Sequence, residues 1–137
     1  MNSKETDPIL RYAKDIRIED IERLESFINA RTERLRHAER GSDERQLARA
    51  VRAAMTHLTI TIQNDVTYLM SDNGSQVVHK ELVVSWNALW ALVSPWQYHD
   101  DYDLARWRPV KHWDATEAAA WVARALEAPS KDRSSDT

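Results

Sequence analysis

Leu58-Thr59-Ile60-Thr61-Ile62, with Asn73-Gly74 further on, is the stretch on which the fold turns. Taken alone, the β-branched alternation describes a half-buried strand. Asn-Gly is a strong signal for a two-residue hairpin turn, and Val77-Val78 and Val83-Val84 follow it. Working outward changes the reading. Leu47, Val51, Ala54, Leu58, Ile62 and Leu69 keep a helical stripe straight through the Thr-rich stretch, which predicts one long helix running to Met70. The expected fold class is all-α, with an α+β fold carrying a β-hairpin around Gly74 as the alternative.

The flanking segments extend the helical pattern. Ile21, Leu24, Ile28 and Leu35 fall in one angular sector with Phe27 at its margin, predicting an amphipathic helix from about Ile18 to Arg40, stopped by Gly41. Ser42 or Asp43 can cap the next helix, and Asp43 with Gln46 has capping-box spacing, so the two helices are expected to form an antiparallel hairpin. Pro8 suits the first turn of a short helix carrying Ile9, Leu10 and Tyr12. From Gln76 to Ser94, Val78, Leu82, Trp86, Leu89, Trp90 and Val93 predict a further helix ended by Pro95. Residues 95–113 read as an ordered Trp-rich loop. Asp114 with Glu117 then opens a last helix striped by Ala118, Trp121, Val122, Ala125 and Leu126 and stopped by Pro129. The whole is an antiparallel helical hairpin extended to a small four- to five-helix bundle. One domain is expected over 8–128, with 1–7 and 129–137 disordered.

Composition excludes several classes of function. The chain of 137 residues is 42% hydrophobic and 30% charged, which suits one core, and its net charge of −3 does not attract a polyanion to the molecule as a whole. Absence of cysteine removes disulfides, thiolate ligands and Cys nucleophiles. The opening residues lack an apolar signal region and no uncharged apolar run is long enough for a bilayer, so a cytoplasmic location with no membrane partner is expected.

Three groups of residues carry candidate chemistry. Arg31, Arg34, Arg36, Arg40, Arg45, Arg49 and Arg52 crowd the first helical hairpin, and Arg45, Arg49 and Arg52 share a helix face placed opposite the apolar stripe, able to meet phosphates or acidic side chains. The alternative is a solvated face with internal ion pairs, and no aromatic residue interleaves these arginines as nucleic-acid stacking requires. His99, Asp100, Asp101, Asp103 and His112 mix imidazole and carboxylate as metal sites do, but no pair has helical metal-ligand spacing, and neither a metal nor another cofactor is expected. In the loop, Trp96, Trp107 and Trp113 can lid the bundle or anchor in a partner's pocket beside Arg106, Arg108 and the acids.

Arg52-Ala53-Ala54-Met55-Thr56-His57 has an Arg-x4-His spacing that resembles the active motif of HEPN-type ribonucleases, small all-helical domains. That resemblance implies metal-independent RNA cleavage, with Arg52 stabilising phosphate charge and His57 moving protons. Two features depart from it. Ala53 stands where those enzymes have a polar residue, and residues five apart lie about 140° apart on a helix, so two copies of the chain would have to combine.

A second resemblance covers about a third of the chain. Phe27-Ile28-Asn29-Ala30-Arg31, the segment from Leu89, His99-Asp100-Asp101-Tyr102 and Trp107-Arg108-Pro109 are similar to a family of small actinobacterial proteins, also carried on mobile elements. That family has Phe-Leu-x-Ala-Arg, Leu-x-x-Leu-Ala and His-Pro-Asp-Tyr…Trp-Arg-Pro signatures. Asp100 replaces the family's Pro, and the interval to Trp107 is longer by one. The resemblance implies a bacterial or phage origin and brings no activity with it.

The expected function is non-catalytic protein binding, a phage- or mobile-element-derived regulator of a bacterial host protein. Its binding residues would be Trp96, His99, Asp100, Asp101, Tyr102, Trp107 and Arg108, with Arg45, Arg49 and Arg52. The alternatives are the ribonuclease reading and a nucleic-acid-binding regulator using the Arg-rich hairpin. The stripes also leave a homodimer open.

Overall fold

A computed structural model of the protein describes residues 8–71 and 76–112, with Ala123 and Leu126 beyond them. Three long helices dominate: α1 (Ile18–Arg36), α2 (Asp43–Met70) and α3 (Gln76–Val93). Short 3-10 turns occupy Ala13–Asp15 and Ser94–Trp96. The fold is mainly helical, and none of the described helices is long and apolar enough to cross a membrane. The expected last helix, apart from Ala123 and Leu126, and both predicted tails lie outside the described residues.

The Thr-rich stretch is helical, and Ile60 shows why alternation misleads. A strand would bury Leu58, Ile60 and Ile62 together, whereas Ile60 is 53% exposed and Ile62 fully buried. The threonines are accommodated by turning their hydroxyls back on the helix: Thr61 Oγ donates to His57 O (3.1 Å), and Thr59 Oγ lies 3.1 Å from Thr56 O and 3.2 Å from Glu25 Oε2, donating to one at a time. A β-hairpin built on these residues is thereby excluded, since helix occupies both sides of Gly74.

α1 and α2 are antiparallel, as their cross-links run in opposite senses: Arg45 to Ala38 O, Arg52 to Glu33 and Thr59 to Glu25. The stripe of α2 is rotated from the one expected. Ala48, Met55, Thr59, Ile62, Asp65 and Val66 are buried, while Leu47 is 66% exposed and Ala54 is exposed. Met55, Ile62 and Val66 share one core with Ile21, Leu24 and Ile28 of α1 and Leu82, Trp86, Leu89 and Val93 of α3. Burying such a side chain contributes ~1.5–3 kcal/mol, enough for the seams to set the bundle.

Three boundaries differ from the sequence reading. α1 ends at Arg36, four residues before Arg40, because His37 and Ala38 tighten onto Arg34 O and Leu35 O to begin the reversal. Gly41 then supplies a φ of +84°, and Ser42 caps α2 by accepting Arg45 N–H at 3.3 Å. α3 gives way at Ser94 to a 3-10 turn that contains Pro95. The segment at Pro8–Tyr12 is extended rather than helical, because its backbone pairs with the distant loop. Leu10 N–H donates to Ala105 O (2.8 Å), Lys111 N–H to Arg11 O (2.9 Å) and Ala13 N–H to Lys111 O (3.0 Å), with Tyr12 and Lys111 in a parallel bridge.

Candidate functional site

The loop after α3 is fixed from beneath by side chains on every neighbouring element. Asn87 of α3 holds Val110 with both ends of its amide, accepting Val110 N–H at 2.8 Å and donating to Val110 O at 3.1 Å. The preceding residue, buried Trp86, donates its indole N–H to Arg108 O at 2.7 Å. Within the loop, Asp103 Oδ1 accepts the amides of Ala105 (3.2 Å) and Arg106 (3.1 Å), and its Oδ2 accepts Arg23 Nη1 at 2.8 Å.

Arg106 reaches back into the protein. Both its side chain and that of Asp20 are 1% exposed, and its guanidinium also donates to Pro8 O and Asp15 O, each at 2.8 Å. Asp20 Oδ2 accepts Arg17 N–H (2.9 Å) at the start of α1. A buried charge pair therefore ties the N-terminal segment, the first turn of α1 and the loop to one point.

Beside this pair lies an aromatic cluster centred on Phe27. Its ring meets His99 at 5.3 Å, Tyr102 at 5.9 Å and Trp107 at 5.2 Å, and Tyr102 meets Trp107 edge-on at 5.1 Å. Arg31 stacks over Phe27 and contacts His99 Nε2, while Arg23 lies over Trp107. His99 Nδ1 accepts Asp101 N–H at 3.0 Å, and Tyr102 donates its hydroxyl to Trp107 O at 3.0 Å. Burial and the charge of Asp103 push Tyr102 up to about 12, so it remains a donor at neutral pH. Phe27-Ile28-Asn29-Ala30-Arg31 and the His99-to-Pro109 segment thus converge into one structure.

Several residues read as partner-facing are instead inside. Tyr102 is buried and Trp107 only 3% exposed, because both pack on Phe27, and Trp96 is half-buried against the core. Tyr102 and Trp107 cannot project into a pocket of another protein while the loop keeps this structure. The outer rim is made by Tyr98 (90% exposed), Asp100, Asp101, Leu104 and Arg108. Two depressions open along it. One of about 430 Å³ is lined by Asp100 to Ala105 and Arg23, and one of about 330 Å³ by Glu22, Arg23, Ser26, Asp101 and Trp107.

The arginines of the hairpin do not form the face expected of them. Arg52 approaches Glu33 at 3.8 Å and Arg45 donates to Ala38 O at 3.4 Å, so both sit in the α1–α2 seam, and of the three Arg49 is the exposed one. The reason is the rotated stripe: with Ala48 and Met55 inward, positions 45 and 52 flank the buried line. Glu33 also accepts Arg36 (2.8 Å) and His37 (3.3 Å). Desolvation opposes ionisation of its carboxyl but is outweighed by those two neighbours, which hold it below the ordinary range. His57 is exposed on a different side of α2 from Arg52, so a single copy does not unite the Arg-x4-His pair. His112 packs its ring on His79 (4.6 Å), whereas His99 packs on Phe27 (5.3 Å). No group of three or more metal-ligating side chains occurs among the described residues.

Sequence reasoning missed Asp20, Arg23 and Asn87. Asp20 had one local signal, its position three residues after Arg17 at a helix start; the others contact residues too distant in sequence for spacing to register. Comparison with family models, with curated proteins and with solved structures finds no match to this chain.

Proposed function

We propose that the protein is a cytoplasmic, non-catalytic binding module that regulates a bacterial protein, of phage or mobile-element derivation, and that it docks through the outer rim of residues 96–109. The observation that carries this reading is the contrast between the two sides of the loop. Its underside is fixed by Arg106–Asp20, Asn87–Val110 and the Phe27 cluster, while Tyr98, Asp100, Asp101, Leu104 and Arg108 are exposed. A loop held in one conformation loses little further entropy on binding, which favours recognition. The origin rests on the resemblance of the Phe27–Arg31 and His99–Pro109 segments to the actinobacterial family.

The test replaces rim residues and spares the buried ones. Tyr98→Ala with Leu104→Ala is expected to abolish retention of a specific protein from bacterial lysate while circular dichroism stays unchanged. Equal retention by the variant and the parent removes the rim from the interface.

A further inference from the structure

α3 carries apolar residues on two sides. Leu82, Trp86, Leu89 and Val93 enter the core, while Val77 (75% exposed), Val84 (69% exposed) and Ala88 point out of the bundle. The outward three share a stripe with Glu81, which is hydrogen-bonded to Asp65 of α2, so they border the α2–α3 seam. On α2, Arg45, Arg52 and Thr59 mark the flank against α1. The opposite flank exposes Ala50, Ala54, His57 and Tyr68 at helical spacing beside that same seam. Charge is scarce here. From Val51 to Met70 the charged residues are Arg52, turned to Glu33, and buried Asp65, and from Leu82 to Val93 there are none, although the chain as a whole is 30% charged. Nothing among the described residues covers this two-helix face, and depletion of charge marks the core of an interface.

We propose that this face binds a second copy of the chain, with a two-fold axis along the groove between α2 and α3. An isologous contact sets a face against itself, and a face so poor in charge does this without repulsion. On this axis α3 of each copy lies on α2 of the other at the same level. The exposed Glu81 carboxylate, level with Asp65, then falls opposite the exposed Tyr68 hydroxyl of the second copy, a donor for its acceptor. From Ala50 to Tyr68 the face is ~27 Å long and about 20 Å wide across two helices, so a pair of copies buries roughly 1,100 Å², above the ~1,000 Å² that a specific contact requires. The chain beyond His112 departs from the other flank of α3, where His112 packs on His79 and Asn87 holds Val110. Ile60, on the α1 side of α2, lies outside the face, and the rim of residues 96–109 stays open in both copies.

The test measures the mass of the full chain by sedimentation equilibrium over a concentration series. Twice the 15.9 kDa of one chain is expected at high concentration. Val84→Arg and Ala54→Arg, both surface changes, are each expected to weaken the dimer at least tenfold with circular dichroism unchanged, whereas Ile60→Arg leaves it intact. A single-chain mass throughout the series overturns the inference, and is the result expected if residues 113–128 or a different protein fill the face. A dimer that both face variants leave intact, or that Ile60→Arg breaks equally, overturns it as well. Because the chain has no cysteine, Ala54→Cys tests the axis without adding charge. A short bismaleimide is expected to join two copies of the Ala54→Cys variant and not of Ile60→Cys. No product at position 54, or an equal product at position 60, overturns the assignment.

Discussion

Arg106 and Asp20, 86 positions apart, form a bidentate ion pair with no exposure to speak of on either side: Nε to Oδ1 is 3.0 Å and Nη2 to Oδ2 is 2.8 Å. Removing one partner leaves the other charged and desolvated. Arg106→Met is expected to lower stability by about 3–5 kcal/mol, read as a fall in urea midpoint with little change in slope. Asp20→Leu combined with Arg106→Met should recover part of that loss, because no lone charge remains. A double variant as unstable as the two single losses added together would refute the coupling.

Asn87 acts as a substitute strand partner for Val110. Asn87→Ala removes both hydrogen bonds at once and is expected to cost about 1–3 kcal/mol. Amide exchange at Val110 should accelerate relative to the core of α2, and unchanged protection there would show that the backbone is held by other contacts.

Asp65 gives the protein a pH dependence of defined sign. Burial, and then the neighbouring Glu81 carboxylate, raise its pKa from 3.8 to about 6. The folded state therefore holds a proton that the unfolded chain releases, so this group's contribution is fully present below about 3.8 and is lost as pH rises through about 6. Asp65→Asn should be the more stable protein at pH 7.5, by on the order of 2 kcal/mol, and the two should converge near pH 4. A parallel offset across that range would place the effect in packing rather than ionisation.

Gly41 tests the hairpin turn. Its φ of +84° is left-handed, and an added Cβ would meet nothing within 4 Å. The cost of Gly41→Ala is therefore conformational alone, about 1–2 kcal/mol by thermal unfolding, with Gly41→Asn milder. Equal stability of all three would mean that the turn readily adopts another conformation.

The helices were legible because their signals are local: Ser42 before α2, Gly41 at the turn and an apolar periodicity that outlasted the threonines. The phase of α2 was not, since Thr59 and Asp65 occupy its buried side while Leu47 and Ile60 face solvent, which weakens the apolar contrast. The extended Pro8–Tyr12 segment was illegible for another reason. Its conformation is set by Ala105 and Lys111, and no pattern within a few residues encodes a partner so far away. Within the loop, Tyr102 and Trp107 were expected to face a partner and are buried, while Asp100, Asp101 and Arg108 are exposed. Tyr102 and Trp107 turn inward onto Phe27, a contact too distant in sequence for any local pattern to encode.

Docking at the rim is tested most directly by photo-crosslinking in living bacteria, with a photoreactive phenylalanine derivative placed at Tyr98 and, as a control on another exposed apolar site, at Ile60. A discrete adduct from position 98 and none from position 60 is expected. Adducts from position 60 with none from position 98 would move the interface to the outer face of α2 and overturn the assignment.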